Sequence, residues 1–316
     1  MSISFFRHDG GTPAAVGTGA VVGQTVGMDP EPAAAQHAAS DAADAPKTTP
    51  ATLRMARIPA GAIELRDARS GTSRTAALRA FEIGRTTVTA GQWAAVSGFA
   101  GPVAGDAVTV PAHPVTWLEA VRWCNAASAA QGLDRAYDIS GRDVMWNVGA
   151  GGFRLPTEAE WEFACRAGTS GPGYGALADI AWTAADRLDG PHAVALKSPN
   201  AFGLFDTIGN VWEWCWDYAD TARYGDYRSL RGGGWDDPAW SARASVRRGS
   251  APDAVLEDVG FRIARGAVGE PGAQAAQGWA AEVDRRRADL RGPRPIGWTP
   301  LRGLQGPGIV GKRFPY

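Results

Sequence analysis

Three groups of side chains in this sequence of 316 residues are of a type and spacing that could do chemistry. The first is sulfur: Cys124, Cys165 and Cys215 are widely spaced, odd in number, and form no Cys-x-x-Cys. That pattern suggests neither a zinc knuckle nor a disulfide framework. The histidines, His8, His37, His113 and His192, are scattered and never stand at metal-ligand spacing. The second group is oxygen. Across Asp206 to Glu213, the two end residues are hard carboxylate donors, and Gly209 and Val211 could add carbonyl oxygens. That is a donor set suited to calcium. The other reading of this loop is metal-free, with Glu213 capping backbone amides.

The third group is the run from Trp235 to Asp258. Trp235 and Trp240 offer rigid aromatic area, Asp236 and Asp237 offer acceptors, and Arg243, Arg247 and Arg248 offer charge-assisted donors. Binding surfaces are enriched in Trp and Arg for these reasons. In the alternative reading, Trp235 sits in the core and Arg243 and Arg247 pair internally with acids such as Asp253. We expect those three to be mainly structural. The exposed ligand contacts are then Asp236, Asp237, Trp240, Ser245, Arg248, Ser250, Leu256 and Glu257.

Composition bounds what these groups can serve. With 32 Lys and Arg against 33 Asp and Glu, the net charge is -1, so no basic field recruits nucleic acid or an anionic membrane. No apolar run approaches the ~18 residues of a membrane span. The N-terminal stretch lacks the Leu-rich centre of a secretory signal, which gives the expectation of an intracellular, cytoplasmic protein. The 41 Gly and 21 Pro predict many turns and few long helices, and the 13 Trp predict packing built on large rings.

The elements that must position these groups lie between about residues 53 and 265. Three helix starts carry Thr-x-x-Glu or Thr-x-x-Gln, in which each side chain satisfies an orphan backbone donor. They are Thr89 with Gln92, Thr116 with Glu119, and Thr157 with Glu160. The second helix is expected to bury Trp117, Val121, Cys124 and Ser128 and to end at Gly132, and the third to end at Gly168. Strands are expected over Leu53–Ile58, Ala62–Leu65, Leu78–Ile83, Val144–Val148, Arg243–Arg247 and Val259–Ala264. Between Gly168 and Gly234 the chain shows many turns and little periodicity. The class is α+β. Residues 1–52 read as an Ala-, Gly- and Pro-rich tail or docking arm. Residues 266–316 read as a basic extension, with eight Lys or Arg against four acids. One short helix is expected within Trp279 to Arg291. Trp298, Leu301, Ile309 and Phe314 are anchors for an extended arm or belong to a flexible tail. Either arm could supply assembly contacts.

Four stretches together go beyond pattern. They are Phe81-Glu82-Ile83-Gly84-Arg85-Thr86-Thr87-Val88-Thr89, then Gly152-Phe153-Arg154-Leu155-Pro156-Thr157-Glu158-Ala159-Glu160-Trp161, then Asn200-Ala201-Phe202-Gly203-Leu204-Phe205-Asp206 through Trp214. The last is Arg231-Gly232-Gly233-Gly234-Trp235, followed by Pro252-Asp253 and Gly260-Phe261-Arg262. Over about 53–265 the chain resembles the formylglycine-generating enzyme family, the sulfatase-modifying factor domain. The resemblance implies a C-type-lectin-like fold: a small twisted sheet, flanking helices and long irregular loops. It also maps a family calcium site onto Asp206, Gly209, Val211 and Glu213. The family's other calcium site finds no counterpart in Leu177 to Ser198.

The oxidases of that family place a cysteine pair just after Arg-Gly-Gly-Ser to bind copper and the substrate thiol. Here the corresponding stretch, Trp235 to Arg243, holds no Cys, and none follows Cys215. Gly234 replaces the Ser. The carboxylates of Asp236 and Asp237 cannot stand in for two thiolates, because copper(I) wants soft ligands. Copper is therefore not expected, and Cys215, between Trp214 and Trp216, is expected to be a buried, inert thiol. The leading expectation is a non-oxidase module that binds a protein, peptide or small-molecule ligand. Proteins diversified by retroelements use the same fold and place their variable residues on the same segment. The alternative is a sulfatase-modifying or related metal-dependent oxidase, or an accessory enzyme of altered chemistry.

Overall fold

Each of the three capping signatures opens a helix in the computed structural model, which describes residues 52–67, 71–96 and 108–289. They begin α1 (Ala90–Ala94), α2 (Trp117–Ala130) and α3 (Glu158–Arg166), and in all three the reciprocal box is formed. The α2 face is sealed as its spacing requires: Trp117, Val121, Cys124 and Ser128 are all buried. Gly132, at φ +67°, follows that helix in the left-handed region.

The strands run in chain order as β1 (Met55–Ile58), β2 (Gly61–Asp67), β3 (Thr72–Leu78), β4 (Phe81–Gly84), β5 (Tyr137–Ser140), β6 (Asp143–Trp146) and β7 (Phe153–Arg154). After short helix α4 (Leu177–Ile180) come β8 (Trp212–Tyr218), α5 (Thr221–Tyr224), β9 (Arg228–Arg231), β10 (Arg247–Ser250), β11 (Val259–Phe261) and β12 (Ala264–Arg265). Hairpin strands β13 (Ala275–Ala276) and β14 (Trp279–Ala280), then α6 (Ala281–Ala288), complete the described chain. One four-stranded sheet has the order β1-β4-β12-β7, and a second has β10-β9-β8-β11. In the second, β11 lies parallel to β8 while β9 lies antiparallel to it. Two four-stranded sheets, the two-stranded pairs β2-β3, β5-β6 and β13-β14, short helices and much loop make the mixed α and β architecture expected.

Four sequence expectations change, the first being Val259–Ala264, which splits into β11 beside β8 and β12 between β4 and β7 in the other sheet. Leu78–Ile83 is not one strand: Leu78 pairs with Gly61 in β3, whereas Phe81 pairs with Ile58 in β4, so the chain turns between two partners. Strand formation in Arg243–Arg247 begins only at Arg247, because residues 238–246 are occupied by tight turns such as Ser241 N–H to Pro238 O and Val246 N–H to Arg243 O. The stretch after Gly168 hides the central strand β8, whose residues from Trp212 to Asp217 are all buried. A strand covered on both faces has no alternation to read.

Residues beyond 265 also pack on the main core, among them Val268 and Trp279. The β13–β14 turn consists of Gln277 (φ +50°) and Gly278 (φ +79°), the double left-handed geometry of a tight hairpin. Gln277 holds that conformation through tertiary bonds. Its amide donates to Arg79 O at 3.0 Å and Glu160 Oε1 at 2.8 Å, and it accepts from Arg79 N at 2.8 Å. Trp279 then closes an aromatic cluster centred on Trp216, whose ring lies 5.2–5.6 Å from those of Tyr137, Trp117, Trp146 and Trp279. The helix expected after Trp279 is α6. The N-terminal arm through residue 51 and the anchors Trp298, Leu301, Ile309 and Phe314 lie outside the described residues. Among the described residues no helix is long and apolar enough to cross a membrane.

Candidate recognition surface and the loop beneath it

The loop 200–213 is built by side chains that bond backbone. Asn200 donates to Ala164 O at 2.7 Å and Cys165 O at 3.0 Å, satisfying carbonyls at the end of α3, and accepts from Phe202 N and Leu204 N. Asn210 makes a two-way bond with the backbone of His192. Gly209 sits at φ +74° with the space of a Cβ filled by Trp182 O, 2.2 Å away, so only glycine fits. Asp206, Gly209 and Val211 thus lie in the loop that leads into β8, and Glu213 is the second residue of that strand.

The four positions differ in how engaged they are. Glu213 is buried and faces Arg262, with Oε1 2.7 Å from Nη2 and Oε2 3.0 Å from Nε, and it also accepts from Trp161 Nε1 at 2.7 Å. Asp206 accepts from Ala195 N at 2.7 Å through Oδ2, while its Oδ1 is buried with no hydrogen-bond partner. Burial pushes the Asp206 carboxyl up to about 6, against the pull of that backbone bond and of Arg262. The sealed, unpartnered Asp206 Oδ1 is a donor of the kind a hard cation takes, whereas both oxygens of Glu213 are already engaged. Among the described residues no group of three or more His, Cys, Asp or Glu side chains gathers at a metal-binding spacing.

Above this loop the chain passes through Arg231-Gly232-Gly233-Gly234. Arg231 is buried, ion-paired with Glu162 and 3.8 Å from Glu158. Gly232 (φ +97°) and Gly233 (φ +89°) approach Thr207 O and Ser241 O so closely that a Cβ would sit 3.0 Å from each. At Gly234 a Cβ would meet Asp258 Oδ2 at 3.1 Å and Trp212 Cδ1 at 3.2 Å. The Asp258 carboxylate thus crowds the space that a serine side chain would use.

The residues expected to contact ligand separate into two sets. Asp236, Trp240, Ser245, Arg248 and Glu257 are exposed, Trp240 at 71%. Asp237, Ser250 and Leu256 are half-buried, which corrects the expectation that all eight are exposed. Asp237 staples the turn, accepting from Trp212 Nε1 at 2.6 Å and Gly234 N at 2.7 Å. Ser250 is paired with Arg228 in the sheet, and Leu256 packs against the main core. Arg248 lies 3.8 Å from Asp258. Arg247 is structural as expected, ion-paired with the buried Glu158. Two expectations fail: Arg243 is exposed, and Asp253 pairs instead with Arg142. Trp235 is half-buried rather than fully in the core. Val255, 70% exposed, belongs to the same segment and carried no sequence signal, since a lone apolar residue in a turn-rich stretch looks like core.

Sulfur lies elsewhere. Cys124, Cys165 and Cys215 are free and buried. Burial raises all three thiols, Cys165 to about 12 and Cys215 well above the ordinary value. A thiol held protonated is a poor nucleophile and a poor metal ligand.

The family model described as the sulfatase-modifying factor enzyme 1-like domain matches residues 39–267. A bovine protein (Bos taurus), named an inactive C-alpha-formylglycine-generating enzyme 2, is 35% identical over 49% of this chain and 60% of its own length. The formylglycine-generating enzyme of Streptomyces coelicolor is 33% identical over 41% of this chain and 55% of its own. The chain therefore spans little more than half the length of each of these two relatives. Among solved structures, Treponema denticola variable protein 1 superposes with a TM-score of 0.61 at 30% identity, covering 67% of this chain and 94% of that one. PvdO from Pseudomonas aeruginosa shares the fold, with a TM-score of 0.54 at 23% identity over 69% of this chain and 99% of that one.

Proposed function

The chain belongs to the sulfatase-modifying factor enzyme 1-like family, and from that premise we propose that it is a non-catalytic binding module. Its presenting surface is the exposed part of Trp235–Asp258, and its ligand is a protein, a peptide or a small molecule. The carrying observation is a fully built scaffold without usable sulfur. The stretch from Trp235 to Arg243 contains no cysteine, and the three thiols of the chain are all buried. Likeness to a relative named inactive and to a structure named a variable protein supports this reading. In the same sense, Asp236, Trp240, Arg243, Ser245, Arg248 and Glu257 are positions where the side chain can change without disturbing the core.

A displayed random-peptide library tests the reading. Peptides selected on the wild-type protein lose binding to a variant with Trp240, Arg243, Ser245 and Arg248 all changed to alanine. They retain binding to a control in which the exposed pair Glu64 and Arg66 is replaced. Binders indifferent to the quadruple change would overturn it.

Likeness to the Streptomyces formylglycine-generating enzyme favours the second reading, an oxidase or accessory enzyme using another metal or cofactor. Stoichiometric copper or iron in the purified protein would support it.

Calcium belongs to the scaffold in either reading. Asp206 and Glu213, with the carbonyls of Gly209 and Val211, would hold it, and it would supply local charge neutralisation and rigidity to the loop. A ligand that binds only the folded state raises its stability. The expected result is a higher Tm in calcium chloride than in chelator, and no such gain for Asp206→Ala. Equal Tm values for the wild type would remove calcium from the account.

A further inference from the structure

The hairpin β2–β3 is a two-stranded sheet of its own, paired from Gly61 with Leu78 to Asp67 with Thr72. Its inner face is shut. Ile63, Ala76 and Leu78 are buried with Ala159 of α3, and Leu65 and Phe163 pack on them. The turn of β13–β14 comes in on the β3 side, where Arg74 Nη1 donates to Gly278 O at 2.6 Å and Arg79 N donates to Gln277 Oε1 at 2.8 Å. Among the described residues, Ala62 to Arg66 of β2 make backbone hydrogen bonds to β3 alone. The other edge of β2 therefore presents a row of N–H and C=O groups on which a further strand can be added.

The side chains of β2 select what can pair there. Ala62, Glu64 and Arg66 are exposed, while Ile63 and Leu65 belong to the face packed on α3. The Glu64 side chain is 47% exposed and that of Arg66 77%, and Arg66 Nη2 donates to Glu64 Oε2 at 3.0 Å along the strand. When a second β2 lies antiparallel beside the first about a two-fold axis, residues directly opposite share a face, so the register is centred on one residue. Centred on Leu65, it sets Glu64 opposite Arg66 of the second copy and Arg66 opposite the second copy's Glu64. One contact thus gains two attractive cross-strand pairs. It also brings the two Leu65 side chains together on the α3 face. Centred on Glu64 or on Arg66, the same edge would set like charges face to face, and centred on Ile63 it would gain neither pair.

We propose that β2 is a self-pairing edge, through which two copies of this chain join in one sheet of order β3-β2-β2-β3 with the register centred on Leu65. A two-fold contact of this kind uses the same patch on both copies and closes on itself, so pairing stops at the dimer. Seven residues from each copy are fewer than the roughly 20–30 a side of a standard interface, and the dimer is accordingly weak and reversible. None of these residues lies in Trp235–Asp258, so the pairing stands independently of any reading of the ligand surface.

Sedimentation equilibrium on the full chain, up to ~1 mM, reads the pairing directly. A dissociation constant of about 1 mM would still leave roughly half of the chains paired there. The wild type should move from monomer towards dimer as concentration rises, and go no further. Glu64→Arg alone should weaken the dimer by about tenfold or more, and Arg66→Glu likewise, because each turns both attractive pairs into repulsive ones. Mixed in equal amounts, the two variants should pair with one another, since each then meets the opposite charge at both positions. Both sites are exposed, where substitutions barely move stability. A wild type that stays monomeric throughout would overturn the proposal. So would a dimer that neither variant weakens, or variants that fail to pair when mixed.

Discussion

Arg262 reaches across the fold to grip Glu213 through two parallel bonds, at 2.7 and 3.0 Å, with both side chains sealed from solvent. The same guanidinium donates to Gly84 O and Phe205 O, each at 2.8 Å. One side chain thereby joins β4, the loop 200–213 and the segment just after β11. Removing one partner of a buried pair leaves the other charge uncompensated, at a cost of about 3–5 kcal/mol. Arg262→Met should lose that much in urea unfolding. A loss below ~1 kcal/mol, the usual worth of an exposed pair, would show that the grip is not structural.

Gly209 and Gly132 separate conformation from crowding. Both are left-handed, at φ +74° and +67°, but a Cβ meets Trp182 O at 2.2 Å in the first and nothing within 4 Å in the second. Gly132→Ala should cost about 1–2 kcal/mol for the backbone alone. Gly209→Ala should cost ~1–3 kcal/mol more, because main chain must move. Equal losses would mean that the loop yields freely.

All three thiols should be silent in the folded protein. At pH 8 a thiol-reactive disulfide reagent should label none of Cys124, Cys165 and Cys215 until denaturant is added, and all three afterwards. Rapid native labelling of Cys215 would place a reactive sulfur where none is described.

Trp240 is 71% exposed and should be dispensable for folding. Trp240→Ala should leave stability within about 0.5 kcal/mol of wild type, as surface changes do. A larger loss would show that the ring is packed, and would remove it from the presenting surface.

How much of this was legible depended on how local each cause is. The capping boxes at Thr89, Thr116 and Thr157 act within four residues, so all three helix starts were readable. The motif segments located the loop 200–213 and the glycine corner for the same reason. β8 escaped because Trp212 to Asp217 is covered on both faces and offers no alternation. Gln277 escaped because its partners Arg79 and Glu160 stand 198 and 117 residues away in sequence. On the presenting segment, residue type was a poor guide to exposure. Asp237 looked like a free acceptor but is consumed by Trp212 and Gly234, while Arg243 looked like an internal partner and is exposed. Both outcomes depend on the turns through 238–246, whose geometry no periodicity announces.

The most direct measurement is a conversion assay. A cysteine-containing sulfatase peptide is incubated with the purified protein, copper and dioxygen, and the peptide mass is followed. The account predicts an unchanged thiol peptide, at the level of the protein-free control. Formation of the aldehyde product above that control would contradict it.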